Sequence, residues 1–418
     1  MSEPRRVVVI GAGPAGLAAA FEHARRGERV VVLERAERCG GRAAPSASGE
    51  DPWSARVTTA DHALLGLVRA CGAADTLLPI RPVPGAQVAN GRVETIPPGA
   101  DPRHLARLPG VSWIAALRTA RLARLLARYR AHLDPSAPGR AAPLDDRSLA
   151  DFATLYFGRG AVTGWLEPWL AERAPVDERE ASRVAFLLRW SAERAAVAGS
   201  FGAPLARLLA ALAAPLEVRL GAAVERVEPL GPGRLRVATA GESFEADLVV
   251  MAIPAPAALA VSAPVLVAAE RAILAGVRYD AAIAWRARAA KGARPLRLRI
   301  APRGRSPLAS IAVEDGSLVA IARDPWASAQ LDVADDALAK ELADAVERVL
   351  PGVATDAGRL LRFPLAWPRF DVGHYRAIAR LRSVEADRRA AGRPHQWAGD
   401  WLAAPTLDGA VVSAASPR

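Results

Sequence analysis

Cysteine is scarce: Cys39 and Cys71 are the only two in 418 residues, too few for a disulfide framework or a thiolate metal cluster. The six histidines, His23, His62, His104, His132, His374 and His395, show no metal-ligand spacing, and no Ser–His–Asp order stands out. No metal site is expected, and each histidine reads as structural or superficial. Lysine is nearly absent: Lys291 lies in "RAAKGARP" and Lys340 in a polar helical stretch. No window reaches about 18 consecutive apolar residues, which argues against a membrane-spanning helix. The start, "MSEPRRVVVIGAG", runs straight into an apolar strand and leaves no room for a signal peptide, so a soluble, cytoplasmic chain is expected.

What is present is arginine. Nearly all the positive charge behind the net +11 is arginine. Together with abundant Ala, Gly and Pro, this is what a GC-rich genome produces on a solvated surface. Such a surface also suits anionic substrates, nucleic acid or acidic lipid heads, and charge alone does not choose among them. Hydrophobic residues make up 51% and charged residues 24%, ordinary for a globular protein of two or three domains. No nucleic-acid partner is expected.

"RRVVVI" (5–10) is a short β-branched run of the kind found in buried parallel strands. "AGLAAAFEHARRG" (15–27) reads as a helix closing at Gly27, and "ERVVVLE" (28–34) as a second strand. Together they form a βαβ unit of about 30 residues. Between strand and helix, Gly11, Gly13 and Gly16 match G-x-G-x-x-G. The first glycine permits the tight turn, the second lets backbone approach a pyrophosphate, and the third allows close helix packing. Ala15 lies at the helix N-terminus, where backbone amides favour a phosphate. Glu34 closes the second strand, where a carboxylate accepts ribose hydroxyls, and Arg35 follows it. These features predict dinucleotide binding and leave NAD and FAD both open.

"CGGR" (39–42) separates the two. A second glycine pair with an arginine is not needed for NAD. It suits a backbone passing close to a second phosphate or a flavin ring, with Arg42 as a fixed fork of donors. The pattern "GAGPAGLAAA…VVVLERAERCGGR" closely resembles the flavoprotein family of amine oxidases, protoporphyrinogen oxidases and phytoene desaturases. The resemblance extends to "AGDWLAAPTLDGAVVSA" (398–414), similar to the closing motif of that family. It implies that Gly399 and Asp400 lie at the ribityl or phosphate region, and that the Gly409 and Ala410 amides face the pyrimidine end of the flavin. "RLGAAVERVE" (219–228) resembles the family's adenine-binding strand, with the Val224 backbone as the contact. "DRSLADFATLYFGRGAVTGWLEPWLAERAPVDEREAS" (146–182) resembles the helical segment of protoporphyrinogen oxidases and carotenoid-type desaturases. The implied cofactor set is thus Gly11, Gly13, Ala15, Gly16, Glu34, Arg35, Gly41, Arg42, Val224, Gly399, Asp400, Gly409 and Ala410.

The chain also departs from the family. After Arg42 no acidic-x-Gly pair stands where the family passes beside the flavin, and Ser54 or Ala55 takes the glycine's place. Ser200-Phe201 replaces a glycine pair, and Ala414 stands where a smaller residue would ease helix–flavin packing. Typical amine oxidases of the family carry a lysine near the flavin, and "YDAAIAWRA" (279–287) offers none. No catalytic side chain is named.

The implied fold is α/β: a Rossmann-like FAD-binding domain of discontinuous sequence (1–52, 200–255, 390–418) with an inserted α+β substrate domain. That domain has a helical part (53–199) and a strand-rich part (256–389). Trp165, Trp169, Trp190, Trp285 and Trp367 fall in it, and Trp397 and Trp401 flank the Gly-Asp pair, either as ordinary core or as a box for a flat or polyene substrate. Residues 103–133 predict a helix with Trp113, Ile114, Leu117, Leu122, Leu125 and Leu126 on an apolar side and Arg118, Arg121, Arg124 and Arg128 on the rest. It reads as an exposed face or as a peripheral membrane contact. The expected function is FAD-dependent hydride abstraction from a small apolar substrate, isoprenoid or polycyclic. The alternatives are a relative that binds a partner without turnover, and an amine or amino-acid oxidase.

Overall fold

The computed structural model describes residues 3–44, 53, 56–80, 83, 85–89, 92–96, 102–108, 110–167, 169, 177–195, 200–202, 205–300, 306–314, 316–392 and 395–415. Ser54 and Ala55 lie outside them. Five strands form a parallel sheet: β1 (Arg6–Ile10), β2 (Arg29–Leu33), β3 (Glu217–Arg219), β4 (Leu248–Met251) and β5 (His395–Trp397), in the order β5-β4-β1-β2-β3. Alternation along β1 explains why its apolar run is continuous. Val7 and Val9 pack with α1 (Pro14–Arg25) and α2 (Leu407–Ala414) on one face, while Val8 and Ile10 join a core with Met251 and Trp397 on the other. An antiparallel meander (Val224–Gly231, Arg234–Thr239, Ser243–Ala246) and the helices Ala255–Ser262 and Ala268–Ala275 cover that second face. The parallel register brings the ends of β1, β2, β4 and β5 to one edge, the place where such sheets bind ligands.

A seven-stranded mixed sheet faces that edge. Its order is Arg359–Pro368, Tyr279–Arg288, Ser317–Ala322, Leu308–Glu314, Leu296–Arg299, Gly85–Ala89, Arg92–Ile96. Leu338, Leu342, Ala345 and Val346 of the helix Asp335–Val349 close one face. The other carries Ala282, Ala284, Val319, Ile321 and Ala366 against Trp53, Phe363 and Trp367. Ser200–Gly202 is a strand pairing with Arg56–Thr58 and Leu78–Ile80.

The helical segment has its own core, in which Trp165, Trp169 and Trp190 pack with Phe152, Phe157 and Phe186. The expected helix over 103–133 divides into Pro102–Leu105, Trp113–Arg118 and Arg121–Tyr129. Its apolar residues divide too: Leu122 and Leu125 are buried, whereas Trp113, Ile114 and Leu117 face outward.

An ionic network joins the helical segment to the second sheet. Arg369 contacts Glu180, Asp280 and Asp371, and Arg278 contacts Glu180 and Asp371. Asp280 is 4% exposed. Burial first, then Asp324 and Asp371, push its carboxyl up to about 6 against the pull of Arg369 and Arg278. The folded chain therefore holds this proton to higher pH than the unfolded chain does. Its stabilising contribution is complete below the unfolded value and is lost as pH rises through about 6. The ionised group then costs on the order of 3 kcal/mol. Asp280→Asn is expected to raise the thermal midpoint by a few degrees at about pH 7.5 and to leave it unchanged at about pH 4. Equal shifts at both pH values in a melting series would contradict this assignment.

Candidate functional site

A cavity of about 930 Å³ runs from the carboxyl edge of the parallel sheet to the open face of the second sheet. Its first end is a double glycine cradle. The Gly11 amide donates to the Leu33 carbonyl (2.8 Å) and so ties the end of β1 to β2. A Cβ on Gly16 would lie 1.8 Å from the Gly11 carbonyl oxygen, so this glycine is required by packing alone. A Cβ on Gly13 would meet nothing within 4 Å. Nothing in the protein demands a glycine there, and the space above the α1 N-terminus is what a pyrophosphate would fill. Pro14 opens the helix without an N–H to lose, leaving the Ala15 and Gly16 amides in its first turn.

"CGGR" is stitched to this turn. The Gly40 amide donates to the Ala12 carbonyl (2.8 Å), and a Cβ on Gly41 would sit 3.5 Å from Gly13 Cα. Gly40 and Gly41 have φ of +117° and +53°, backbone that favours glycine. The two glycine loops thus form one wall. Glu34 ties the first glycine loop to the segment after β2: its Oε2 accepts from the Ala12 amide (2.8 Å) and its Oε1 from the Ala36 amide (2.9 Å). Each oxygen keeps a further lone pair, and Glu34 lines the cavity beside Arg35. Val224 lines the same end, where the Ala222 amide bonds the Glu34 carbonyl (2.8 Å).

Arg42, which the sequence suggests as a cofactor donor, is held from two sides. Its Nη1 donates to the Ala366 carbonyl and its Nη2 to Asp400 Oδ1, both at 2.7 Å. Burial works against its charge, yet Asp400 outweighs that and holds the guanidinium above its ordinary value. The indole of Trp53 donates to the Arg42 carbonyl (2.8 Å). Arg42 and Asp400 both line the cavity, each with one face committed to the other.

The C-terminal motif is organised by its helix cap. Thr406 caps α2, its Oγ1 accepting from the Gly409 amide (2.9 Å), and the Ala410 amide donates to the Thr406 carbonyl (3.0 Å). Both amides are therefore spent within the helix. The amides without an acceptor among the described residues are those of Leu407 and Asp408, one step earlier, because the cap falls at Thr406. Gly409 is needed for clearance, since its Cβ would lie 2.2 Å from the Ala404 carbonyl oxygen. Gly399 donates its amide to Ser413 Oγ (2.8 Å). Ala414 packs in the core with α1 and does not line the cavity.

Two carboxylates escaped sequence reasoning. Asp408 Oδ1 accepts from the Leu64 amide (2.8 Å), and Asp61 Oδ2 accepts from the Thr58 amide (2.7 Å). Burial, with a further push from Asp61, raises the Asp408 carboxyl above its ordinary range. Both line the cavity, and Asp61 pairs with Arg189 (3.5 Å). The available signal was position: Asp408 directly precedes the Gly-Ala of the closing motif.

The second end is apolar and aromatic, lined by Leu298, Ile311, Val319, Ile321 and Phe363. Trp53 lies 4.3 Å from Phe363 and 5.0 Å from Trp367, ring centre to ring centre. Of the tryptophans weighed as a substrate box, Trp367 lines the cavity and Trp401 reaches its edge; Trp165, Trp169, Trp190, Trp285 and Trp397 are core. Trp53, which sequence reasoning did not select, lines it. Both lysines are exposed and away from it. His62 is exposed, and His395 is buried with its Nε2 on Glu270 (2.8 Å).

The residues fit FAD: a cradle that a Gly13 Cβ would enter, a carboxylate with free lone pairs, and two amides of α2 without acceptors. Gly13→Ala is expected to leave the cofactor-free protein within about 0.5 kcal/mol of the parent while weakening FAD binding about tenfold or more. Gly16→Ala, by contrast, should cost about 3 kcal/mol or more whether or not FAD is present. Chemical denaturation and FAD titration together check both outcomes; a Gly13→Ala protein that binds FAD like the parent would remove the pyrophosphate from this turn.

Comparison with known proteins places this geometry. An L-amino acid oxidase of Cerastes cerastes is 43% identical over 56 residues, 13% of this chain and 11% of that protein. One of Pseudechis australis is 50% identical over 52 residues, 12% and 10% respectively. These matches span about a tenth of the relatives' length. Solved structures match over nearly the whole chain. A proposed protoporphyrinogen oxidase from Exiguobacterium sp. 255-15 gives a TM-score of 0.76 at 19% identity, covering 99% of this chain and 97% of that one. A fatty acid isomerase from P. acnes gives 0.74 at 15%, covering 99% and 98%. The cyclohexylamine oxidase of Brevibacterium oxydans IH-35A gives 0.70 at 17%, covering 98% and 97%. These likenesses show a shared fold. The sequence profile of flavin-containing amine oxidoreductases matches residues 14–416, and the chain belongs to that family, an FAD-dependent oxidoreductase.

Proposed function

We propose that this oxidoreductase removes hydride from a small apolar substrate seated on the face formed by Val319, Ile321, Phe363, Trp53 and Trp367. The observation that carries the reading is the single cavity joining the glycine cradle to that face. When bound, FAD supplies the hydride acceptor. The chain's own residues bind, orient and exclude water. In this reading, segments 1–52, 200–255 and 390–418 hold the cofactor, Gly13, Ala15 and Glu34 hold its nucleotide half, and Leu407 and Asp408 present amides to its ring end. Asp408, with its raised carboxyl, is the group at the wall best suited to hold a proton.

Charge supports an apolar substrate. The arginines of the substrate end already have acidic partners: Arg297 with Glu314 (2.8 Å), Arg362 with Asp335, and Arg189 with Asp61. An anionic substrate would compete with those pairs. Amine or amino-acid oxidation is the second reading, favoured by the short matches to L-amino acid oxidases and opposed by the lack of any lysine in the cavity.

Purified protein should show flavin bands near about 370 and 450 nm. Anaerobic mixing with apolar polyene or polycyclic substrates is expected to bleach the longer-wavelength band, and amines and amino acids are expected not to. Bleaching by amines alone would replace this reading with the second, and a colourless protein that fails to take up FAD would refute both. Phe363→Ala should lower kcat/KM for the bleaching substrate about tenfold while leaving the flavin spectrum unchanged.

A further inference from the structure

We infer that the outer face of the helices Trp113–Arg118 and Arg121–Tyr129 docks on an anionic phospholipid surface. Large apolar side chains rarely gather on a soluble surface without a partner. Here Trp113 is 55% exposed, Ile114 62% and Leu117 48%, within five residues of one another. The inner side of the same helices is satisfied without them: Ala115, Ala116, Leu122 and Leu125 are buried in the helical core. Ser112 fixes the arrangement, its Oγ accepting from the Ala115 amide (3.2 Å) and so setting where the first turn begins. Leu155, also 62% exposed, lies next to Tyr156, whose carbonyl accepts from the Arg121 guanidinium (3.4 Å).

Charge names the occupant. From Pro102 to Leu133 the chain has seven arginines and no carboxylate. Arg118, Arg121, Arg124 and Arg128 are exposed, and among the described residues none of them is paired with an acid. Elsewhere, arginines such as Arg278, Arg288 and Arg369 carry acidic partners. A second copy of this face would bring like charge against like, which disfavours a symmetric dimer through it. Aromatic and aliphatic side chains beside unpaired arginines match a bilayer interface, where apolar groups enter the acyl boundary and guanidinium groups meet phosphate. No described helix is long and apolar enough to cross a membrane, so the contact is peripheral. The inference is independent of which substrate the cavity takes.

The test is co-sedimentation of the FAD-loaded full chain with vesicles. Binding to phosphatidylcholine vesicles containing about a third phosphatidylglycerol is expected to exceed binding to pure phosphatidylcholine by about tenfold, and to weaken in about 0.5 M salt. Combined Trp113→Ser, Ile114→Ser and Leu117→Ser should reduce binding about tenfold or more, with flavin absorbance and thermal midpoint unchanged. Arg118→Glu with Arg121→Glu and Arg124→Glu should do the same by a charge route. Three results would overturn the proposal: no vesicle binding by the parent, unchanged binding by both variants, or a parent dimer that the apolar variant converts to monomer.

Discussion

One guanidinium ties the molecule together at its cavity. Arg42 bonds the Ala366 carbonyl on the edge strand of the second sheet and the Asp400 carboxylate beyond β5, residues 324 and 358 positions away in the chain. Those two bonds run in different directions from one planar group, which a lysine ammonium on a flexible stem does not reproduce. They lock the second glycine loop to the end of the parallel sheet and to the wall of the substrate end at once. Trp53 then bonds the Arg42 backbone and packs with tilted rings against Phe363 and Trp367, so the aromatic face touches the same clasp.

This clasp also accounts for the second glycine pair. To place Arg42 between Asp400 and Ala366, the chain must turn sharply after Cys39 while lying almost against Gly13. Left-handed backbone at Gly40 and Gly41 permits the turn, and the missing side chain at Gly40 is required as well, since its Cβ would lie 2.8 Å from Ala44 Cα. The arginine beside those glycines is thus a positioning group. Backbone amides at two helix N-termini, α1 and α2, line the cavity, with the Arg35 side chain beside Glu34.

Local features were legible in the sequence because they obey local rules. β1, α1 and β2 follow from short β-branched runs separated by a glycine turn, and the terminal helix begins at the threonine that caps it. What the sequence hid was set by distance. The Arg42–Asp400 pair is invisible to any periodicity, and so are the burial of Asp408 and the approach of Asp61, which in that order raise its carboxyl. Tryptophans looked alike until the fold sorted them, Trp165 and Trp190 into a ring cluster of the helical core and Trp53 and Trp367 onto the cavity. In 113–126 a single helical wheel grouped Trp113 with Leu122. The helix is interrupted at Thr119–Ala120, where the Leu122 amide bonds Thr119 rather than a residue four back, and the wheel loses its phase.

The cavity divides its work between two kinds of surface. At the cradle the constraint is geometric: a Cβ at Gly16 is excluded by Gly11, while one at Gly13 would enter open space. At the opposite end, recognition is by side chains whose charges are already matched within the protein, Arg297 to Glu314 and Arg362 to Asp335. A ligand there gains by shape and by burial of apolar area, and it loses if it carries a charge that must break those pairs. Selectivity at such a face rests on the ring positions of Trp53, Phe363 and Trp367. The bond from the Trp53 indole to the Arg42 carbonyl links that aromatic face to the clasp at Asp400 and Ala366.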